Sequence, residues 1–118
     1  MKTYFATIFW LLAIMLPVQG ADVEAVMIAR NADGSFHIAV TVSSDETGWD
    51  KYADKWEVLG PDGTVLGTRI LHHPHVHEQP FTRSLPALGL PPQITTIRVR
   101  AHDSVEGFVG AEQVVPVP

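Results

Sequence analysis

The chain has 118 residues, of which 46% are hydrophobic and 18% charged, and it contains no cysteine. Thirteen acidic residues against eight Lys and Arg give a formal net charge of −5. Because phosphate binding requires clustered cations, this balance argues against nucleic acid as a partner. The lack of cysteine excludes a disulfide framework, and the length fits one domain.

The first twenty residues have the pattern of a secretory signal peptide. Lys2 supplies a positive start, residues 4–16 are almost wholly apolar, and Pro17 ends the run. The run is shorter than the roughly 20 apolar residues that a membrane-spanning helix needs, although an uncleaved anchor is the alternative. We predict that residues 1–20 are removed and that the mature chain begins at Ala21, in the periplasm or outside the cell. Without a cysteine to carry a lipid, it is expected to keep no stable membrane anchor.

The remainder of the chain, residues 21–118, carries the period-two alternation of β-strands separated by turn signals. Turns are predicted at 31–34 and 60–63, where Asn, Asp, Pro and Gly cluster. The weaker alternation of the first segment places four side chains on one face: Val23, Ala25, Met27 and Ala29. We predict seven strands, at residues 22–30, 36–42, 56–59, 64–71, 81–85, 94–102 and 112–117.

Seven short strands in one domain predict an all-β sandwich. The side chains that alternate inward are expected to pack between the two sheets of that sandwich. The predicted core consists of Phe36, Ile38, Val40, Val42, Trp56, Ile97 and Val99. No segment of residues 21–118 has the sustained 3.6-residue period of a helix.

A proline-bearing corner precedes the last long strand of the chain. The corner is Leu90-Pro91-Pro92, and the strand that follows it, Ile97–Asp103, has the form I-x-V-x-A-x-D. Trp56 opens the third predicted strand. This order resembles the fibronectin type III and related immunoglobulin-like domains, in which a core tryptophan stands at that place. The resemblance implies a single seven-stranded sandwich with a binding or scaffolding role, and it implies no enzymatic activity.

A dense run of histidines, HHPHVH, occupies residues 72–77. On an extended segment alternate side chains project to one face, and two imidazoles in an H-x-H pair can bind one copper or zinc ion. The alternative is a solvated histidine-rich loop without a physiological metal. The candidate ligands are His73, His75 and His77, with His102 as a supplement and His72, Glu78 and Asp103 as secondary candidates.

Three loops are predicted to meet at one end of the sandwich. Successive strands run in opposite directions, so loops 45–55, 72–79 and 102–107 should share one rim. Trp49 and Tyr52 lie in the first of these loops and are candidate partner-binding residues, since exposed aromatic residues are enriched at interfaces. The alternative for Trp49 is that it folds back over the edge of the core.

Two functions fit these patterns. The first is an exported, non-enzymatic interaction module of the cell envelope whose rim contacts an envelope protein. The second is a periplasmic protein that binds copper or zinc through the histidine run. The sequence contains no serine nucleophile elbow, glycine-rich phosphate loop or catalytic cysteine, so no enzymatic activity is predicted.

Overall fold

A computed structural model describes residues 19–118, and residues 1–18 of the predicted signal peptide lie outside the described part. No helix occurs in residues 19–118, so none there is long and apolar enough to cross a membrane. The described chain forms seven strands: β1 (Ala21–Arg30), β2 (Phe36–Ser44), β3 (Ala53–Leu59), β4 (Val65–Ile70), β5 (Phe81–Leu88), β6 (Thr96–Asp103) and β7 (Gln113–Pro116).

The strands form two antiparallel sheets. One sheet has three strands in the order β1-β2-β5, and the other has four in the order β4-β3-β6-β7. The chain crosses between the sheets after β2, β4 and β5, as a sandwich requires. The predicted seven-stranded all-β sandwich is therefore confirmed.

The core lies between the two sheets, where side chains from both inner faces form one cluster. Trp56 is its largest member, and Phe81 is also fully buried. The seven residues predicted for the core are each at most 3% exposed: Phe36, Ile38, Val40, Val42, Trp56, Ile97 and Val99. The core prediction is therefore confirmed. It could be made from the sequence because a strand with one buried face tends to alternate apolar and polar residues.

The first strand differs from its predicted alternation. A β-bulge between Val23 and Ala25 shifts the register of β1 against β2. One extra residue in a strand moves every later side chain to the opposite face. Val26 and Ile28 therefore pack against the core, whereas Met27 is 75% exposed on the outside.

The end of the sandwich that holds the turns 31–35 and 60–64 is called here the far end. Each turn closes on itself: the Asp33 carboxylate accepts from the Ser35 backbone N–H, and the Asp62 carboxylate accepts from the Thr64 N–H. These hydrogen bonds hold the pKa of both carboxyl groups below the usual range, with the Ser35 hydroxyl contributing most at Asp33. The turn signals in the sequence are thus satisfied locally.

The fifth strand runs further than predicted. The predicted strand ends at residue 85, but β5 continues through Pro86 to Leu88. β5 is an edge strand, and proline is tolerated there because its missing N–H need not pair with a neighbour. The Pro86 carbonyl instead accepts a hydrogen bond from the Asn31 side chain at 2.9 Å.

Candidate functional site at the rim

Three loops meet at the end opposite the far end, and together they are called the rim: 45–52, 71–80 and 104–112. The first loop contacts the second, since the His75 N–H donates to a Glu46 carboxylate oxygen at 2.6 Å. The first also contacts the third, since the Ser104 N–H donates to the Tyr52 carbonyl at 2.9 Å. The predicted meeting of the loops is confirmed because the strand count on which it depended is right.

One buried carboxylate joins the first two loops. Glu46 is buried and accepts from the backbone N–H of His75 at 2.6 Å and of Ala53 at 3.3 Å. The Gln79 side chain donates to the same carboxylate at 3.4 Å and also to the His75 carbonyl at 3.0 Å. Sequence reasoning missed this role because Glu46 stands next to the exposed Asp45, and no local spacing distinguishes the two carboxylates.

A second buried carboxylate ties the first loop to β6. Asp103 is fully buried, and one of its oxygens lies 2.6 Å from Lys51 Nζ. The other oxygen accepts from the backbone N–H groups of Val105 and Glu106 at 2.8 and 2.9 Å. Burial acts to raise the pKa of Asp103, but the Lys51 and backbone hydrogen bonds lower it below its usual range. Both oxygens of this secondary metal candidate are therefore engaged in holding the rim together.

A tight turn displays an aromatic side chain at the rim. Thr47 N–H donates to the Lys51 carbonyl at 3.0 Å, and Gly48 begins the turn with φ of 139°, which favours glycine. Trp49 occupies the tip of the turn and is 67% exposed. Tyr52 contacts it in a T-shaped arrangement, with ring centroids 5.6 Å apart. Of the two alternatives for Trp49, exposure is correct, and folding back over the core is wrong.

The histidine run does not form the extended segment that was assumed. Residues 76–77 form a turn, so alternate side chains do not share one face. His75 is only 5% exposed and stacks on Phe81 with ring centroids 4.0 Å apart and planes 11° apart. His73 and His77 are exposed. The run is therefore a loop that inserts its third imidazole against the edge of the core.

The contact of His75 with Arg83 indicates the tautomer of its neutral ring. Its Nε2 atom lies 2.9 Å from an Arg83 guanidinium nitrogen, which can only donate. Nε2 is therefore the acceptor, and the proton of a neutral ring is on Nδ1. Nδ1 is buried without a hydrogen-bond partner among the described residues. Burial, followed by the charges of Arg83 and His73, lowers the pKa of His75, and Glu46 and Glu78 oppose this only in part.

The candidate metal ligands do not lie together in one place. The His73 and His75 rings lie close, with centroids 4.6 Å apart, whereas His102 Nδ1 lies 2.6 Å from Asp54 and its ring contacts Phe108. Glu78 pairs with an arginine at 3.4 Å, and His72 is exposed. Within residues 19–118, no three His, Asp or Glu side chains are grouped so that they could hold a metal ion.

The first two loops border a wide, shallow hollow of about 740 Å³ that is open to solvent and is called here the rim hollow. Trp49 and Val76 offer exposed apolar surface to it, and Glu78 offers an exposed carboxylate. This combination suits the binding of a side chain that has both an apolar and a polar part. The lining residues are Thr47, Gly48, Trp49, His73, Pro74, His75, Val76, His77 and Glu78.

Comparison with known proteins identifies a relative of the chain. No protein-family model and no solved structure matches the chain. The chain is 36% identical over 100 residues to a protein of Halomicrobium mukohataei named "Putative lipoprotein". The match covers 85% of this chain and 49% of the relative, so the chain spans about half the length of that protein.

Proposed function

We propose that the protein is an exported, non-enzymatic interaction module of the cell envelope and that the rim hollow binds a protein partner. The observation that carries this proposal is the exposure of Trp49, 67% accessible at the tip of a tight turn beside the hollow. Large aromatic side chains supply much of the binding energy of protein interfaces. A tryptophan held open by the backbone of its own turn is prepared for that role at low entropic cost.

The sequence and the relative support an envelope location. The apolar pattern of residues 1–20 is typical of an export signal, and the H. mukohataei relative carries the name "Putative lipoprotein". We propose a mature chain that begins at Ala21 and lies in the periplasm or outside the cell. This sequence has no cysteine to which a lipid could be attached. The two sheets of three and four strands support the resemblance to fibronectin type III domains, which stays a prediction.

Site-specific cross-linking tests the interaction. A photoreactive amino acid replaces Val76 in the rim hollow, and the control variant carries it at Val65 at the far end. These two valines have similar exposures of 41% and 46%. Irradiation in the native envelope should give a discrete adduct with one protein from position 76 and none from position 65. Adducts of equal yield at both positions, or none at position 76, would contradict the proposal.

A second candidate function is the binding of Cu(II) or Zn(II) by the histidine run. The observation that favours it is the approach of the His73 and His75 rings to 4.6 Å, together with the unpartnered Nδ1 of His75. Because Nε2 of His75 accepts from Arg83, binding of a metal through Nδ1 would move the ring proton to Nε2 and break that hydrogen bond. His77 and Glu78 line the same hollow but are not grouped with these two rings as ligands, so the loop would have to rearrange to bring a third ligand to the ion.

Calorimetric titration of tag-free protein with each metal tests the second candidate. A folded site should bind more tightly than a free HHPHVH peptide, and replacing His73, His75 and His77 together by alanine should remove the difference. Affinity should also fall as the pH drops, since protons compete for the imidazole nitrogens. Equal affinities of protein and peptide would show that the fold organises no metal site.

A further inference from the structure

The exposed charge of the rim is negative. Its three loops contain six carboxylates and one cation, Lys51. Lys51 is engaged at 2.6 Å by the buried Asp103, so it neutralises a carboxylate that lies outside this count. Glu46 is buried, which leaves five exposed carboxylates: Asp45, Asp50, Glu78, Glu106 and Glu112.

Two arginines beside the rim offset part of this negative charge. Arg83 stands beside the rim hollow, where it contacts His75, the Thr82 carbonyl and, at 3.4 Å, the Glu78 carboxylate. Arg98 pairs at 3.2 Å with Glu112, the last residue of the third loop. Exposed pairs of this kind are weak and easily exchanged. A cation that enters the hollow therefore competes with Arg83 for Glu78, whereas the exposed carboxylates of Asp45, Asp50 and Glu106 take part in no salt bridge within residues 19–118.

The aromatic residue beside this negative surface has no cation of its own. Four cation–π contacts occur in residues 19–118, and all four are made to phenylalanine rings. The shortest places the Arg100 guanidinium 3.9 Å from the centroid of Phe108. Trp49 takes part in none of them, although indole is the ring that attracts cations most strongly. Asp50 follows Trp49 in the same turn and is exposed, although it does not line the hollow itself.

We propose that the rim hollow receives an arginine or lysine side chain from a basic segment of the partner. The proposal rests on the interaction function proposed above and names the chemistry of the partner. The aliphatic stem of such a side chain lies against Trp49 and Val76, and its charged head is attracted by the indole face and by Asp50 and Glu78. Charge complementarity selects this occupant, because an acidic or neutral segment gains nothing from the exposed carboxylates.

The test uses capped pentapeptides as probes: Ac-GRGRG-NH2, Ac-GKGKG-NH2, Ac-GQGQG-NH2 and Ac-GEGEG-NH2. Binding is followed by nuclear magnetic resonance through the indole N–H signal of Trp49, with the buried Trp56 as an internal reference. The arginine and lysine peptides should bind at least about fivefold more tightly than the glutamine peptide, as expected for a cation–π contact with one or two carboxylates. The glutamate peptide should bind most weakly.

Three variants and a control locate the effect. Trp49→Ala should remove detectable binding, which in this variant is followed through the backbone amide signals of other rim residues. Asp50→Asn and Glu78→Gln should each lower the affinity for the arginine peptide by about twofold to threefold. Asp62→Asn at the far end removes the same charge and should change nothing. Raised salt should weaken the two basic peptides and leave the glutamine peptide unaffected.

The outcomes separate this inference from the proposed function. Equal binding of the arginine and glutamine peptides, or unchanged affinity in both Asp50→Asn and Glu78→Gln, overturns the cationic partner. If position 76 still gives a discrete adduct in the envelope, the interaction function stands without it. If that adduct is also absent, the proposed function falls as well.

Discussion

The far end and the rim belong to one sandwich but are closed by hydrogen bonds of different range. At the far end, the Asp33 and Asp62 carboxylates accept from backbone groups two residues further on. At the rim, Glu46 accepts from His75, 29 residues away, and Lys51 reaches Asp103, 52 residues away. The far-end turns are thus closed by their own hydrogen bonds, with the Asn31 side chain reaching out to the Pro86 carbonyl, whereas the rim loops are held by bonds to one another.

This difference supports the proposal that the rim carries a binding surface. In the turn 60–64, the Asp62 carboxylate and the backbone groups hydrogen-bond within the turn itself. Buried carboxylates anchor the rim loops from below, so their tips are free to expose Trp49 and Val76. Binding residues concentrate on loops that a rigid scaffold positions in this way.

The largest effect is expected from the core that both ends share. Trp56→Ala should lower the free energy of unfolding by about 3–5 kcal/mol, the usual cost of deleting a large buried aromatic side chain. Urea denaturation of both proteins measures it. Because Trp56 lies between the sheets, its removal should speed up amide hydrogen exchange at the far end and at the rim alike. A denaturation midpoint equal to that of the unchanged protein would remove Trp56 from the core.

Substitution of Glu46 should loosen the rim and leave the far end unchanged, so it tests the difference between the two ends directly. Glu46→Ala leaves the backbone N–H groups of His75 and Ala53 without their acceptor, at a cost of about 1–3 kcal/mol. Amide hydrogen exchange should speed up at His75 and stay unchanged in the turn 31–35. Asp45→Ala, one position earlier and exposed, is the matched control and should alter neither. Equal exchange at His75 in the two variants would mean that Glu46 does not anchor the loop.

Acid should weaken the rim before it affects the far end. In the unfolded chain the His75 imidazole titrates near its ordinary pKa of about 6.5. The pKa in the folded chain is lower, so the unfolded state binds more protons. The contribution of His75 to stability is complete above pH ~6.5 and is lost as the pH falls, by at most about 1.4 kcal/mol per pH unit. The pKa of Asp103 is also lowered, but its contribution is lost only below the ordinary aspartate pKa of about 3.9.

Denaturation at pH 7 and pH 5 measures this titration. His75→Gln should flatten the dependence of unfolding free energy on pH across that interval. His77→Gln, which replaces an exposed imidazole of the same loop, is the control and should keep the slope of the unchanged protein. A slope that is insensitive to His75→Gln would show that this ring titrates alike in the folded and unfolded chains.

The smallest effect is expected at the far end. Asp62→Ala removes one acceptor from an exposed turn, and the Thr64 N–H that it satisfied can bind water instead. The urea midpoint should therefore move less than it does in Glu46→Ala. A larger shift in Asp62→Ala would reverse the contrast between self-closed turns and mutually supported loops.

The sequence predicts those parts of the molecule whose contacts are local or periodic. Strands 36–42 and 94–102 follow from alternation, and the far-end turns follow from their Asn, Asp and Gly residues. The exposure of Met27 was not predictable, because the bulge before it depends on pairing with β2. One inserted residue reverses the face of every side chain that follows it.

At the rim, topology was predictable but side-chain roles were not. Loop alternation placed the three loops together, since it depends only on the number of strands. The burial of His75 depends on Phe81, Arg83 and Glu46, which only the folded chain brings to it. Glu46 and Asp45 are chemically alike in the sequence, so which of them is buried is decided by tertiary contacts.

The most direct test of a binding rim is the dependence of the cross-link at position 76 on Trp49. The photoreactive residue is placed at Val76 in two backgrounds, the unchanged chain and Trp49→Ala, with equal amounts of folded protein confirmed by circular dichroism. Because Trp49 is exposed, its removal should leave the denaturation midpoint unchanged but abolish the adduct. An adduct of equal yield in both backgrounds would contradict the account, because the partner would then bind without its proposed anchor.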